Sequence, residues 1–136
     1  MSLTSWKEEF YPIDAAHPDA LKAPAAHSLQ KWLGLRPEAL ARHKVYLAID
    51  EVSEKGRVVS RNGSGMYVDS YHCALCERYL KRLPMNTCSR CPLYKLLNHV
   101  SCDEGDDSPY DCLVEHKDPE PMIAALTELA RRESKS

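Results

Sequence analysis

Apolar residues recur at helical spacing in three stretches of the chain, and proline or glycine punctuates each of them. In "PAAHSLQKWLG", Pro24 opens and Gly34 closes a candidate helix, with Leu29, Trp32 and Leu33 at spacings of three and four. Proline at a first helical position gives up only an N–H that has no intrahelical partner, and glycine is the usual residue just past the end. The same punctuation frames "PEALARHKVYLAIDEVSEKG", from Pro37 to Gly56, where Ala41, Val45, Ala48, Ile49 and Val52 keep a helical period. Inside it, "VYLAI" also alternates at Val45, Leu47 and Ile49, as a strand would. The longer register and the two end signals favour helix. The third stretch, "DPEPMIAALTELARRE", offers Asp118 as N-cap, Pro119 at the first position and an apolar stripe of Met122, Ile123, Leu126, Leu129 and Ala130. Arg131 and Arg132 suit the negative end of the helix dipole.

Between the second and third stretches the pattern changes. "RVVSRNGSGMYVD" holds two short β-leaning runs around Asn62-Gly63, a hairpin turn signal, so residues 57–72 read as a hairpin or an ordered loop. Its "GSG" lacks the lysine and hydroxyl residue of a phosphate loop and reads as a turn. Short helical candidates, "ERYLKRL" and "PLYKLLNHV", follow each of two cysteine pairs. The expected fold is mostly α: one compact helical domain over 1–136 with an inserted Cys-rich zinc-binding unit and one small β-hairpin or loop. Its parts are an irregular segment at 1–23, a helical pair at 24–56, the hairpin or loop, the Cys-rich unit at 73–112 and a C-terminal helix at 118–134.

Composition narrows the class. With 43% apolar and 28% charged residues, a chain of 136 residues can bury a core without depending wholly on metal or disulfides. The net charge of −2 conceals an asymmetry. Residues 73–101 hold Arg78, Lys81, Arg82, Arg90 and Lys95 against Glu77, a net +4. Residues 103–120 hold eight carboxylates against Lys117, a net −7. No signal-like or membrane-spanning apolar run is present, so the expectation is a cytoplasmic protein that meets no membrane. In a reducing cytoplasm thiols stay reduced unless a metal takes them.

The candidate chemistry lies in "YHCALCERYLKRLPMNTCSRCPLYKLLNHVSC". Cys73/Cys76 and Cys88/Cys91 are two Cys-x-x-Cys pairs, each able to present two thiolates to one side of a Zn²⁺ ion, so that together they close a tetrahedral shell. The intervening 11 residues are fewer than the about 15–20 common in such sites. Cys102 is a possible substitute ligand, and Cys112 could also replace a member of the four. His72 and His99 read first as ordinary surface or satisfied residues and second as nitrogen ligands. An iron–sulfur cluster takes the same four thiolates and is the alternative cofactor. Disulfides are the reading without metal, since six cysteines are an even number. A thiol redox role for Cys88-Ser89-Arg90-Cys91 lacks the βαβ setting expected of it.

The stretch from Cys73 to Tyr110 resembles a set of small phage and bacterial proteins of unknown function. They share a Cys-x-x-Cys, a Cys-x-x-Cys-Pro, a further cysteine and a Ser/Thr-Pro-Tyr, which fall here on Cys73, Cys76, Cys88, Cys91, Pro92, Cys102, Ser108, Pro109 and Tyr110. The resemblance spans 38 residues, and "DPEPMIAAL" is similar to that group's tail. Arg90 stands where a glycine is often found. The resemblance implies a metal-binding fold that includes Cys102, and implies no activity.

Three function classes follow. A protein-interaction adaptor with a structural zinc asks least of the sequence, its charged faces steering a partner. A nucleic-acid module would use the basic segment, with Tyr79 and Tyr94 stacking on bases, but four thiolates and one Zn²⁺ add −2 there and the whole-chain pI is near 6.3. An enzyme is the least expected: four thiolates close the zinc shell, no His-Glu-x-x-His occurs, and Asp103, Glu104, Asp106 and Asp107 lack calcium-loop spacing. Oligomeric state leaves no mark in the sequence.

Overall fold

The computed structural model of the chain describes residues 2–50, 55–68, 96 and 109–135. Six helices and three strands lie among them: α1 Leu3–Phe10, α2 Pro18–Lys22, α3 Pro24–Leu33, α4 Pro37–Arg42, β1 Val45–Ile49, β2 Gly56–Ser60, β3 Gly65–Val68, α5 Pro109–His116 and α6 Glu120–Lys135. The architecture is helical with a three-stranded antiparallel sheet rather than helices with a lone hairpin.

The segment at 1–23, expected to be irregular, holds two helices, α1 and α2, joined by turns and bends. Ser2 caps α1 through a reciprocal pair with Ser5, which satisfies main-chain groups at the helix start. Trp6 and Phe10, one turn apart, carry its buried face. Pro18 opens α2, with the His17 ring accepting from the Asp19 N–H at 3.1 Å. The spacing of Trp6 and Phe10 was the available signal, although it spans a single turn.

The helical pair at 24–56 is also corrected. α3 runs as expected from Pro24, but α4 stops at Arg42. Lys44 then adopts a left-handed backbone, φ 56°, and "VYLAI" is strand β1. β-Branched and aromatic residues suit a pleated, half-buried surface, and β2 supplies the hydrogen-bonding partner that the single-segment pattern could not reveal. Gly56, read as a helix end, begins β2 instead.

The sheet runs β1-β2-β3, with Val45 opposite Ser60 and Ile49 opposite Gly56 in the first pair, and Gly56 opposite Val68 in the second. The expected turn at Asn62-Gly63 joins β2 to β3, with Gly63 at φ 90°. Alternation puts Val45, Leu47, Val58, Met66 and Val68 on one face, buried in the core. Tyr46, Ala48, Arg57, Val59, Gly65 and Tyr67 share the other face.

α3 and α6 form the main helical layer. They run antiparallel, since Glu133 reaches the start of α3 and Glu120 reaches Arg36 just past its end. Ala23 cannot cap α3 with a side chain, and the Glu133 carboxylate takes that role by accepting from Ala25 and Ala26 N–H at 3.0 and 3.1 Å. The expected stripe of α6 is realised, with Met122, Ile123, Leu126 and Leu129 buried and Ala130 packed beside them. Asp118 Oδ1 accepts from the Glu120 N–H at 3.1 Å, as its expected capping role requires.

Arg131 and Arg132 are tied to Glu128 at 2.5 and 2.9 Å and bring its carboxyl down from 4.5 to about 2. Arg36 lowers Glu120 in the same sense. A depressed carboxyl stabilises the fold above its unfolded pKa and ceases to do so as pH falls through the folded value. In a carboxyl-resolved NMR titration, Glu128 is expected to titrate near 2 and to return toward 4.5 in R131Q/R132Q. An unmoved value would refute the assignment. Both arginines are more than half exposed, so little stability rides on these contacts.

Candidate functional site

The expected zinc ligands Cys73, Cys76, Cys88 and Cys91 lie outside the described residues, as do Cys102, His72, His99, Tyr79, Tyr94 and the acidic run from Asp103 to Asp107. The scaffold on which that segment is mounted is described. The segment departs after Val68 at the end of β3 and returns at Pro109 at the start of α5.

Tyr110 joins these two points. Its hydroxyl donates to the Val68 carbonyl and accepts from the Gly56 N–H at 3.2 Å. Gly56 and Val68 are opposite each other in the β2–β3 register, so one hydroxyl bridges the last rung of the ladder. The ring stands edge-on to Trp32 at 6.1 Å, and one turn further along α5 the fully buried Leu113 packs beside Gly56. Leu96, the one described residue between the two roots, packs against the same core. Tyr110 belongs to the Ser-Pro-Tyr that carried the sequence resemblance, and its role here is to hold the roots of the cysteine segment together. Cys112, half-buried on α5, follows two residues later. Among the described residues, no three His, Cys, Asp or Glu side chains gather as a metal-binding group.

A second polar constellation was invisible in the sequence. The buried His43 ring has Nδ1 2.9 Å from Ser5 Oγ and Nε2 2.8 Å from Glu9 Oε1. Arg42 donates to the other oxygen of Glu9 at 2.6 Å. Hydroxyl, imidazole and carboxylate thus lie in the order of a nucleophilic triad. The surroundings are those of a brace. Ser5 Oγ also accepts from the Ser2 N–H, and the Ser2 carbonyl lies 2.9 Å away as a second acceptor for its proton. With His43 neutral and Nε2–H facing Glu9, the Ser5 hydroxyl donates to Nδ1. With His43 protonated, Nδ1–H donates to Ser5, whose proton turns to the Ser2 carbonyl. Partners exist in either state, which binds α1 to the turn before β1. The His43 hydrogen bond, helped by Arg42, holds the Glu9 carboxyl below its ordinary range. Ser5 and Glu9 are four apart on one helix face, a signal that points to a shared partner without naming it.

The remaining described histidines have separate places. His27 is buried on α3, its Nε2 2.6 Å from the Ile13 carbonyl and its ring edge-on to Tyr11. His116 is exposed at the end of α5. The buried side of α3 also carries Ser28 and Lys31, both 1% exposed, a polar content that the apolar spacing of Leu29, Trp32 and Leu33 concealed. Among the described residues, no helix is long and apolar enough to cross a membrane. The chain matches no family model, no curated protein and no solved structure.

Proposed function

We propose that this chain is a small zinc-binding protein in which Cys73, Cys76, Cys88 and Cys91 hold a structural zinc, and that it acts as an adaptor for another protein. The observation that carries the reading is the doubled Cys-x-x-Cys in a segment whose two roots are tied by one tyrosine. Four thiolates satisfy the ion with no open position, so the metal supplies shape rather than chemistry. Tying the roots shortens the loop that the unit must close, which lowers the entropy lost when the ligands assemble. Among the described residues, the hydrophobic core contains no cysteine.

The test is elemental analysis of protein made without added metal, with a thiol count before and after chelation. About one zinc per chain, and four thiols protected until chelator is added, is the expected result. C88S is expected to lose the metal and, with it, a partner that the zinc-loaded chain retains. Metal-free protein with all cysteines titrating as free thiols or paired as disulfides would sink the reading. Iron and a brown colour would replace it with electron transfer. Far-UV and near-UV circular dichroism are expected to persist largely after chelation, because Trp6, Trp32 and their neighbours are buried by helices and sheet.

A further inference from the structure

The outer face of the sheet carries features that the adaptor reading leaves unused. Tyr46 is 53% exposed, the one large hydrophobic side chain exposed among the described residues. It shares that face with Arg57 on β2 and Tyr67 on β3. The Arg57 guanidinium lies 5.8 Å from the centroid of the Tyr67 ring, and its stem lies over Gly65, where no side chain rises. Val59, between Tyr46 and Gly65 in the register, is buried. The middle of the face is therefore closed, and what it offers is its rim, an exposed aromatic ring on one side and a half-buried cation stacked on a second ring on the other.

Carboxylate partners are unevenly shared among the described arginines. Arg36, Arg42, Arg131 and Arg132 each pair with a glutamate. Arg57 and Arg61, the other two described arginines, have no carboxylate partner among the described residues, and neither has Lys44. Lys44 and Arg61 are exposed and flank the opposite Val45–Ser60 pair at the turn end of the sheet. At the far end, the Tyr67 hydroxyl donates to Asp50 at 3.2 Å and Lys55 stands beside Asp50, so that end carries both signs of charge.

We propose that this face binds single-stranded nucleic acid, with bases stacking on Tyr46 and on the Arg57–Tyr67 pair and phosphates meeting Lys44 and Arg61. Every base has a π-face, so an aromatic ring beside unpaired cations takes a flexible strand without regard to sequence. A duplex keeps its base faces stacked inside and offers this face phosphates alone. None of the residues named belongs to the cysteine segment in sequence, and zinc loading and strand binding are measured separately.

The experiment uses the full chain as purified and a fluorescein-labelled oligothymidylate of about 15 nucleotides. Fluorescence anisotropy at about 50 mM salt is expected to give a Kd of about 1–100 μM that weakens steeply by about 200 mM. Y46A is expected to weaken binding fivefold or more, and Y46F to retain it. R57Q and R61Q are expected to weaken binding and flatten the salt dependence. Thermal melts of each variant separate loss of the surface from loss of the fold, and Y46F serves as the variant that keeps the ring. Absence of binding would overturn the proposal. So would binding that Y46A leaves intact, or a duplex that competes as well as the single strand. Self-association broken by Y46A without any oligonucleotide binding would reassign the face to contact between copies.

Discussion

G34A is expected to destabilise the protein by about 2–3 kcal/mol, although the backbone at this position invites alanine. Gly34 follows α3 with φ −72° and ψ −10°, a right-handed helical conformation. At such angles, replacing glycine with alanine ordinarily stabilises by about 0.4–1 kcal/mol, by reducing the freedom of the unfolded chain. Here the new Cβ would stand 2.5, 2.7 and 2.8 Å from Cγ, Cδ2 and Cβ of Phe10. Those atoms sit at the root of a buried ring and cannot swing away. The Gly34 carbonyl also accepts the buried Trp6 Nε1–H at 2.8 Å, so a shift of either helix strains a second contact. Overpacking therefore decides the sign. Urea denaturation of G34A measures the loss, and F10A, which removes Cγ and Cδ2, is expected to cost less in the G34A background than in the parent. A G34A variant as stable as the parent would mean that α1 does not dock as described.

The second large effect is expected at Leu113. Its side chain is fully buried, and L113A is expected to cost about 3 kcal/mol through lost transfer energy and the cavity left behind. The packing partner is specific. A Cβ built on Gly56 would lie 3.2 Å from Leu113 Cδ2, a tight contact in the parent that disappears when Leu113 is cut back. G56A is thus expected to be less harmful, or stabilising, in the L113A background than alone. A double-mutant cycle by equilibrium unfolding reads that coupling. Strict additivity would place Leu113 away from β2.

These two positions also show what the sequence can and cannot convey. Gly34 was placed at the end of its helix from the sequence, but for a different reason from the one that operates. The residue is needed for the closeness of Phe10, twenty-four positions earlier, and not for a left-handed backbone. The stripe of α6 was legible because sixteen residues give several turns of one period. "VYLAI" was misread because five residues carry both periods, and the deciding fact is a strand that pairs with it from residues 56–60. α1 was missed for the same brevity. For the site, the cysteine spacing was legible as chemistry, and those cysteines lie outside the described residues. Tyr110 could be singled out as part of a motif, whereas its bridge between Gly56 and Val68 is a matter of tertiary geometry. The outer sheet face was not legible at all, since Tyr46, Arg57 and Tyr67 share a surface only once the register is known.

The meeting of Val68 and Tyr110 has a bearing on how such a chain arises. A segment that leaves and re-enters a fold at one point is a guest in a host. The host's own connections neither lengthen nor change register when the guest is exchanged. Because closure entropy grows only with the logarithm of loop length, guests of quite different size fit the same doorway at similar cost. The forty residues from 69 to 108 are therefore the part of this molecule freest to vary in length, provided that the tyrosine at the threshold and the Leu96 contact with the core stay.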